Sequence, residues 1–141
     1  MRTVRDEAGN RYVLVKRSSE SSRVRDPATG EERHVANDEL SVVEGESPFE
    51  TAARAVSEPV RRILTATHDE RALGLLVELA THGPRSAREL LAADDRCEST
   101  LHGVLIELRA AGLVEPTTVD GEPGYEVSAE TVAAVEALTS V

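Results

Sequence analysis

Apolar residues recur at helical spacing along residues 86–114, and the pattern predicts two short helices joined by a polar turn. Ser86 and Glu89 have the spacing of a capping box, in which a hydroxyl and a carboxylate satisfy free amides at a helix start. Leu90 lies on the apolar side of this first helix. The polar run at residues 94–96 interrupts the pattern, so we expect the turn there.

The second helix of this stretch places Leu101, Leu105 and Leu108 on one stripe, at spacings of four and three residues. Gly112 is typical of a residue that ends a helix, and Leu113 then returns to the core. Two helices joined by such a turn form a helix-turn-helix, whose second helix can enter a DNA major groove.

The flanking residues complete a domain over residues 59–141. A capping box headed by Thr67 precedes a predicted helix over residues 71–81. In that helix we expect Leu73, Leu76, Val77 and Ala80 to face inward, with Leu75 and Leu79 widening the apolar stripe. After the motif, two alternating segments around a turn rich in Gly and Pro predict a hairpin over residues 115–127. A serine-capped last helix follows over residues 128–140.

Residues 1–46 predict a small antiparallel sheet. The segment 12–16 is the strongest strand pattern of the chain, because its residues are β-branched and aromatic. The segment 26–30 has the Pro and Gly of a tight turn. A connector helix is predicted over residues 47–58, and we expect Phe49 to pack it onto a domain.

The motif resembles that of winged helix-turn-helix transcription regulators of bacteria and archaea, here of an acidic haloarchaeal type. The resemblance covers the C-terminal domain only, and its residues are Glu89, Leu90, Leu91, Glu98, Ser99, Thr100, Leu101, Leu105 and the run from Leu108 to Glu115. It implies an α+β fold class, with a small N-terminal antiparallel β module followed by a winged helix-turn-helix domain. The hairpin at 115–127 would be the wing. A homodimer is also implied, because in dimeric members a helix before the motif packs against its twin.

The resemblance implies a DNA-binding transcription regulator that contacts double-stranded DNA. In the family, the exposed side of the second motif helix reads the major groove, and basic residues at the helix starts hold phosphates. The residues expected at the DNA are Arg85, Arg88, Arg96, Ser99, Thr100, His102 and Gly103.

Four departures from the family pattern favour an alternative function. Gly103, Ile106 and Glu107 stand where the family usually carries Arg or Lys, and the wing has no basic residue. An apolar Ile106 on an exposed face also fits a winged-helix module that binds a protein partner through this face and does not bind DNA directly. Both interpretations stay open from the residues.

The charge of the chain bears on that choice. The net charge is −10, and Lys16 is the only lysine among sixteen basic residues. Acid-rich, Lys-poor chains resemble proteins of salt-loving archaea, where surface carboxylates maintain solubility, so the acidity argues only weakly against nucleic acid. Eight basic and ten acidic residues lie within 1–46. That sheet is either a nucleic-acid or partner surface, or a solvated face with cross-strand ion pairs.

Enzymatic chemistry finds little support in the sequence. Cys97 is the only cysteine, and we expect it to act as a helix cap more than as a reactive thiol. The four histidines have no metal-ligand spacing, so we expect neither a metal site, a cofactor nor a catalytic residue. The chain has no signal region and no apolar run of about 18 residues, which predicts a soluble cytoplasmic protein away from membranes.

Overall fold

Five β-strands and one short helix form the first of two structural units, residues 1–57. The structure is a computed structural model, and it describes residues 1–93 and 97–139. The strands are β1 (Arg2–Arg5), β2 (Arg11–Arg17), β3 (Ser21–Arg25), β4 (Glu32–Ala36) and β5 (Ser41–Val42), and the helix is α1 (Pro48–Ala52). Short 3-10 turns lie at Asn37–Glu39 and Ala53–Ala55.

The strands form one antiparallel sheet in the order β4-β3-β2-β1-β5. Gly9 and Gly30, at φ values of 86° and 76°, lie in two of its turns, where an L side chain would be strained. Val4, Tyr12 and Val24 are buried together on one side of the sheet. The predicted antiparallel β module is confirmed, as is the α+β fold class.

Helix α1 is fixed to the other side of the sheet by polar contacts. Thr51 is fully buried, and its Oγ1 lies 2.5 Å from Oγ1 of Thr3, which is also buried. Ser47 caps the helix by accepting a hydrogen bond of 3.1 Å from the amide of Phe49. The Phe49 side chain itself is 74% exposed, so the prediction that it packs this helix onto a domain is wrong. A helix of five residues has too little apolar surface to dock by an aromatic stripe, and here hydrogen bonds take that role.

Glu46 ties the start of α1 to the sheet. The guanidinium of Arg11 donates to its carboxylate at 2.7 Å, Arg54 lies at 3.1 Å, and the Thr51 hydroxyl donates at 3.2 Å. The Glu46 side chain is only 14% exposed. The hydrogen bond from Arg11, followed by that from Thr51, lowers the pKa of Glu46 below its ordinary value of 4.5.

We expect this carboxylate to make the first unit sensitive to acid. Because the folded chain favours the ionised form, the contribution is complete above pH 4.5 and is lost as the pH falls through the lowered folded pKa. Glu46→Gln should cost about 1 kcal/mol at pH 7 and less at pH 2. Urea unfolding at the two pH values, followed by NMR signals of residues 1–57, measures the difference; an equal cost at both would contradict it.

The second unit, residues 58–141, contains five helices and a three-stranded sheet in its described part. The elements are α2 (Glu58–Ala66), α3 (Glu70–His82), β6 (Arg85–Ser86), α4 (Ala87–Ala93), α5 (Glu98–Ala110), β7 (Val114–Val119), β8 (Glu122–Val127) and α6 (Ala129–Thr139). The sheet order is β6-β8-β7. Helices α4 and α5 form the helix-turn-helix, and β7 with β8 forms the adjacent hairpin.

The core of this unit is aliphatic and draws on every helix. Its buried members are Ile63, Leu76, Leu79, Leu90, Leu101, Leu105, Leu108, Leu113, Val114, Ala134 and Val135. Helix α3 enters this core with Leu76 and Leu79, whereas Leu73 is 39% exposed. The prediction that Leu73 faces inward and that Leu79 only widens the stripe is therefore wrong. Both registers fit the helical period, and long-range packing selects between them.

A second correction concerns the start of α3. Asp69, and not Thr67, is the cap: its carboxylate accepts a hydrogen bond of 2.8 Å from the amide of Ala72. The Thr67 hydroxyl instead donates to the Ile63 carbonyl at 2.6 Å, beyond the end of α2. Asp and Thr are both good caps, so the sequence alone left two starting points two residues apart.

Candidate functional site

Helix α5 is the second helix of the helix-turn-helix, and one side of it is fixed in the core. Leu101, Leu105 and Leu108 are each less than 5% exposed, as their spacing predicts. Gly112 has a φ of 76°, and the amide of Leu113 donates to the Leu108 carbonyl at 2.9 Å, which is the hydrogen bond of a Schellman helix end. The predicted glycine stop is confirmed, and the orientation of α5 about its axis is thereby fixed.

The opposite side of α5 is open to solvent. Besides Glu98 and Arg109, the exposed residues of α5 are Ser99, Thr100, His102, Gly103, Ile106, Glu107 and Ala110. Ile106 is 55% exposed. The surface therefore offers hydroxyls and an imidazole near the helix start and an apolar side chain one turn further on. Its contact with DNA remains a prediction.

The arginines predicted at phosphates have acidic partners. Arg85 lies 3.3 Å from Glu89, one helical turn away, and Arg88 lies 3.0 Å from Glu122 on the hairpin. The third, Arg96, lies outside the described residues. Arg88 is 79% exposed at its side chain, so its pairing with Glu122 is solvated and weak. The pairing across 34 residues could not be read from the sequence.

The hairpin turns over two residues. Asp120 and Gly121 have φ values of 50° and 77°, the two positive values that a type I′ turn requires. The predicted turn rich in Gly and Pro is thus shorter than expected, because Pro123 and Gly124 already pair with Thr118 and Thr117 in the ladder. The hairpin has acidic residues and no basic one along residues 114–127. Its charge would repel a phosphate backbone unless other groups compensate.

His68 was not predicted to contribute to this surface. Its Nε2 lies 3.4 Å from the Glu107 carboxylate on α5, and both side chains are well exposed. This contact places an imidazole beside an acidic side chain on the outward side of α5. The two residues are 39 positions apart in the sequence, so the local pattern did not predict this contact.

Cys97 occupies the cap position of α5, as expected, but its sulfur does not cap a backbone amide. Its Sγ lies 3.2 Å from the Ser99 hydroxyl and 2.9 Å from the Thr100 hydroxyl. These hydrogen bonds, that of Ser99 first, lower the pKa of the exposed thiol to about 7. The thiol is therefore partly ionised near neutral pH, which the acidic residues adjacent in sequence did not predict.

Two further observations concern metal binding and membrane crossing. Among residues 1–93 and 97–139, no three His, Cys, Asp or Glu side chains are placed to hold a metal ion. Within the same described ranges, none of the helices has both the length and the apolar character that a membrane crossing requires.

Comparison with known proteins gives a family and a fold. Residues 1–139 match a family of unknown function, DUF7346, and no curated protein matches the chain. The crystal structure of the transcriptional regulator HlyU from Vibrio vulnificus is similar, with 29% identity, a TM-score of 0.50, and coverage of 61% of this chain and 90% of that one. The homodimeric winged helix-turn-helix DNA-binding domain of Mb0332 from Mycobacterium bovis is 28% identical, with a TM-score of 0.48 and coverage of 68% and 85%.

Proposed function

The chain belongs to the family of unknown function DUF7346, and we propose that this member is a transcription regulator that binds double-stranded DNA through its winged helix-turn-helix. The observation that carries the proposal is α5: three buried leucines fix one side, and the other side presents polar groups to solvent. The similarity of the chain to the transcriptional regulator HlyU supports the same function.

In this proposal the first half of α5 reads base edges in the major groove. The hydroxyls of Ser99 and Thr100 and the imidazole of His102 can exchange hydrogen bonds with bases or phosphates. Apart from the backbone of α5 itself and the two adjacent residues, no heavy atom lies within 4 Å of where a Cβ of Gly103 would be, so the helix surface there is open to close approach. Arg85, Arg88 and Arg96 then hold the flanking phosphates, and Arg88 exchanges Glu122 for a phosphate oxygen.

The acidic surface fits a cytoplasmic regulator of a salt-loving archaeon, where high salt screens repulsion between carboxylates and DNA. We also infer a homodimer. Leu64 on α2 and Leu138 on α6 are 57% and 45% exposed, and these two helices pack against each other. Two copies would together cover this apolar surface and present two α5 helices to successive major grooves.

The test begins with selection of a preferred duplex from a random library, followed by anisotropy titrations over a range of salt. Arg88→Ala should weaken binding to every duplex alike and reduce the salt slope by about 1. Ser99→Ala should instead reduce the preference for the selected site, by about 1–3 kcal/mol at one base pair. A mass of two chains per duplex would match the dimer.

Glu122→Gln is the reciprocal control for Arg88. It removes a carboxylate that lies near the expected backbone and frees Arg88, so it should strengthen binding to all duplexes. If no duplex is selected and none binds at low salt, the regulator proposal is wrong.

A protein-interaction module is the second candidate, and the 55% exposure of Ile106 favours it. An exposed aliphatic side chain on a helix can insert into an apolar groove of a protein partner. The duplex experiment separates the two candidates, because the module would bind no DNA and would show no effect of Ser99→Ala.

A further inference from the structure

The first unit separates its charges by secondary structure. All eight basic residues of the segment 1–46 lie within strands, namely Arg2, Arg5, Arg11, Lys16, Arg17, Arg23, Arg25 and Arg33. Nine of the ten acids in the same segment lie outside the strands, and Glu32 is the exception. The sequence gives the impression of mixed charge because strands and turns alternate, but in the fold the sheet is basic and its rims are acidic.

The register then places three of these residues close together on two neighbouring strands, on the face that also carries Arg5 and Arg11. Lys16 lies directly across from Arg23, and Arg25 follows Arg23 by two positions on β3 and therefore points to the same side. His34 on β4 lies across from Arg23. A register shift between Leu14 and Lys16 turns Lys16 onto this face, since strict alternation would place it with Leu14 on the other. We call Lys16, Arg23 and Arg25 the basic cluster.

The basic cluster is only partly neutralised. Glu32 on β4 lies across from Arg25 on the same face and pairs with Arg23 at 3.3 Å, with both side chains more than 40% exposed, so one carboxylate offsets one of the three cations. Within the described residues, the structure shows no ion pair for Lys16 or Arg25. Directly opposed like charges destabilise a sheet, so the Lys16–Arg23 pair disfavours folding to the extent that Glu32 does not offset it. Arg11 lies on the same face, but it forms an ion pair with Glu46 and is therefore not counted in the basic cluster.

We propose that the basic cluster is a second DNA-contacting surface, which binds phosphates of the duplex backbone without reading sequence. Three cations within two adjacent strands match a ligand with closely and regularly spaced negative charges, and a phosphate backbone is such a ligand. The choice of duplex DNA over another polyanion rests on the proposed function of the second unit. The cluster adds affinity, and α5 adds selectivity.

The test compares two double variants of the full chain that remove the same charge. Lys16→Gln with Arg25→Gln removes two cations from the basic cluster. Arg2→Gln with Arg17→Gln removes two from the other face of the same sheet, because Arg2 lies across from Leu14 and Arg17 lies across from Ser22. Thermal unfolding of both variants checks that each retains the fold.

Binding to a random-sequence duplex is measured from 50 mM to 500 mM salt. Since each phosphate contact contributes roughly 0.9 to the slope of log K against log salt, the cluster variant should lose about 2 from that slope. The control should keep the slope of the unmodified chain. Equal slopes for the two double variants, or no duplex binding at 50 mM salt, would overturn the proposal.

Two additional arms identify the ligand and separate this proposal from the previous one. If polyglutamate binds as tightly as the duplex and with the same loss in the cluster variant, the surface serves an acidic protein partner and the DNA assignment is wrong. Ser99→Ala should leave the random-duplex slope unchanged. If Ser99→Ala has no effect on any selected site while the cluster variant still loses slope, the regulator proposal fails and the basic cluster stands.

Discussion

Replacement of Gly124 by alanine should unfold or severely weaken the second unit. A Cβ at this position would clash with the carbonyl oxygen of Arg85 and would lie 2.9 Å from Val119 Cγ2 and 3.0 Å from Ser86 Cα. Two of these three neighbours are backbone atoms, which cannot move aside as a flexible side chain would. We expect a loss of about 3 kcal/mol, at the upper end for overpacked sites.

The damage should reach the helix-turn-helix because of where Gly124 lies. It pairs with Ser86 across β6 and β8, and Ser86 is the residue whose hydroxyl accepts a hydrogen bond of 3.1 Å from the Glu89 amide at the start of α4. Any displacement of β6 therefore disturbs the cap of α4. This close approach of two strands is one of the contacts that couple the hairpin to the motif.

Thermal unfolding measured through NMR signals of residues 58–139 tests the expectation. A loss of about 3 kcal/mol lowers the midpoint by roughly 12–24 °C for a unit of this size. Gly74→Ala is the matched control, since no heavy atom lies within 4 Å of its added Cβ and it lies inside α3. That change should stabilise the unit by up to about 1 kcal/mol. Equal midpoints for the two variants would show that the strands tolerate the side chain.

Much of the second unit follows from local chemistry in the sequence. The Ser86 cap, the leucine spacing in α5 and the Gly112 stop each depend on residues within a few positions of one another, and the structure has all three. Such features need no knowledge of the rest of the chain, because the hydrogen bonds concerned close within one or two helical turns.

The predictions that were wrong depended on long-range packing. Leu73 and Leu79 fit the period of α3 equally well, and only the positions of the neighbouring helices decide which is buried. Phe49 was expected to anchor α1 because it is large and apolar, yet buried hydroxyls from Thr3 and Thr51 hold that helix. Neither result is contained in the residues adjacent in sequence.

The charge on the candidate surfaces was the feature that the sequence predicted least well. The pairing of Arg88 with Glu122 joins residues 34 positions apart and changes how much positive charge the motif presents. The basic cluster depends on strand register and on one irregularity in β2, since a shift of one residue would send Lys16 to the opposite side. Composition showed that the sheet contained arginines, whereas the register shows which of them share a face.

Shortening Leu108 to alanine should cost the second unit about 2–5 kcal/mol, comparable to the loss from Gly124→Ala. Leu108 is 1% exposed, and it lies in the same cluster as Leu76, Leu79 and Leu113. Loss of three buried carbon atoms leaves a cavity that the surrounding helices can only partly fill. The backbone carbonyl of Leu108 also accepts a hydrogen bond from the Leu113 amide. Leu108 therefore lies both at the end of α5 and at the place where the chain returns to the core.

Ile106→Ala provides a control on the same helix, two residues away. Ile106 is 55% exposed, and alanine has the higher helix propensity, so the free energy of unfolding should change by less than about 0.5 kcal/mol. Urea unfolding of both variants, followed through signals of α5, measures the contrast. A large loss of unfolding free energy for Ile106→Ala would mean that the Ile106 side chain is buried, which would contradict a solvent-exposed face on α5. A negligible loss for Leu108→Ala would contradict the anchoring of α5 in the core, on which the proposed orientation of Ser99 and His102 depends.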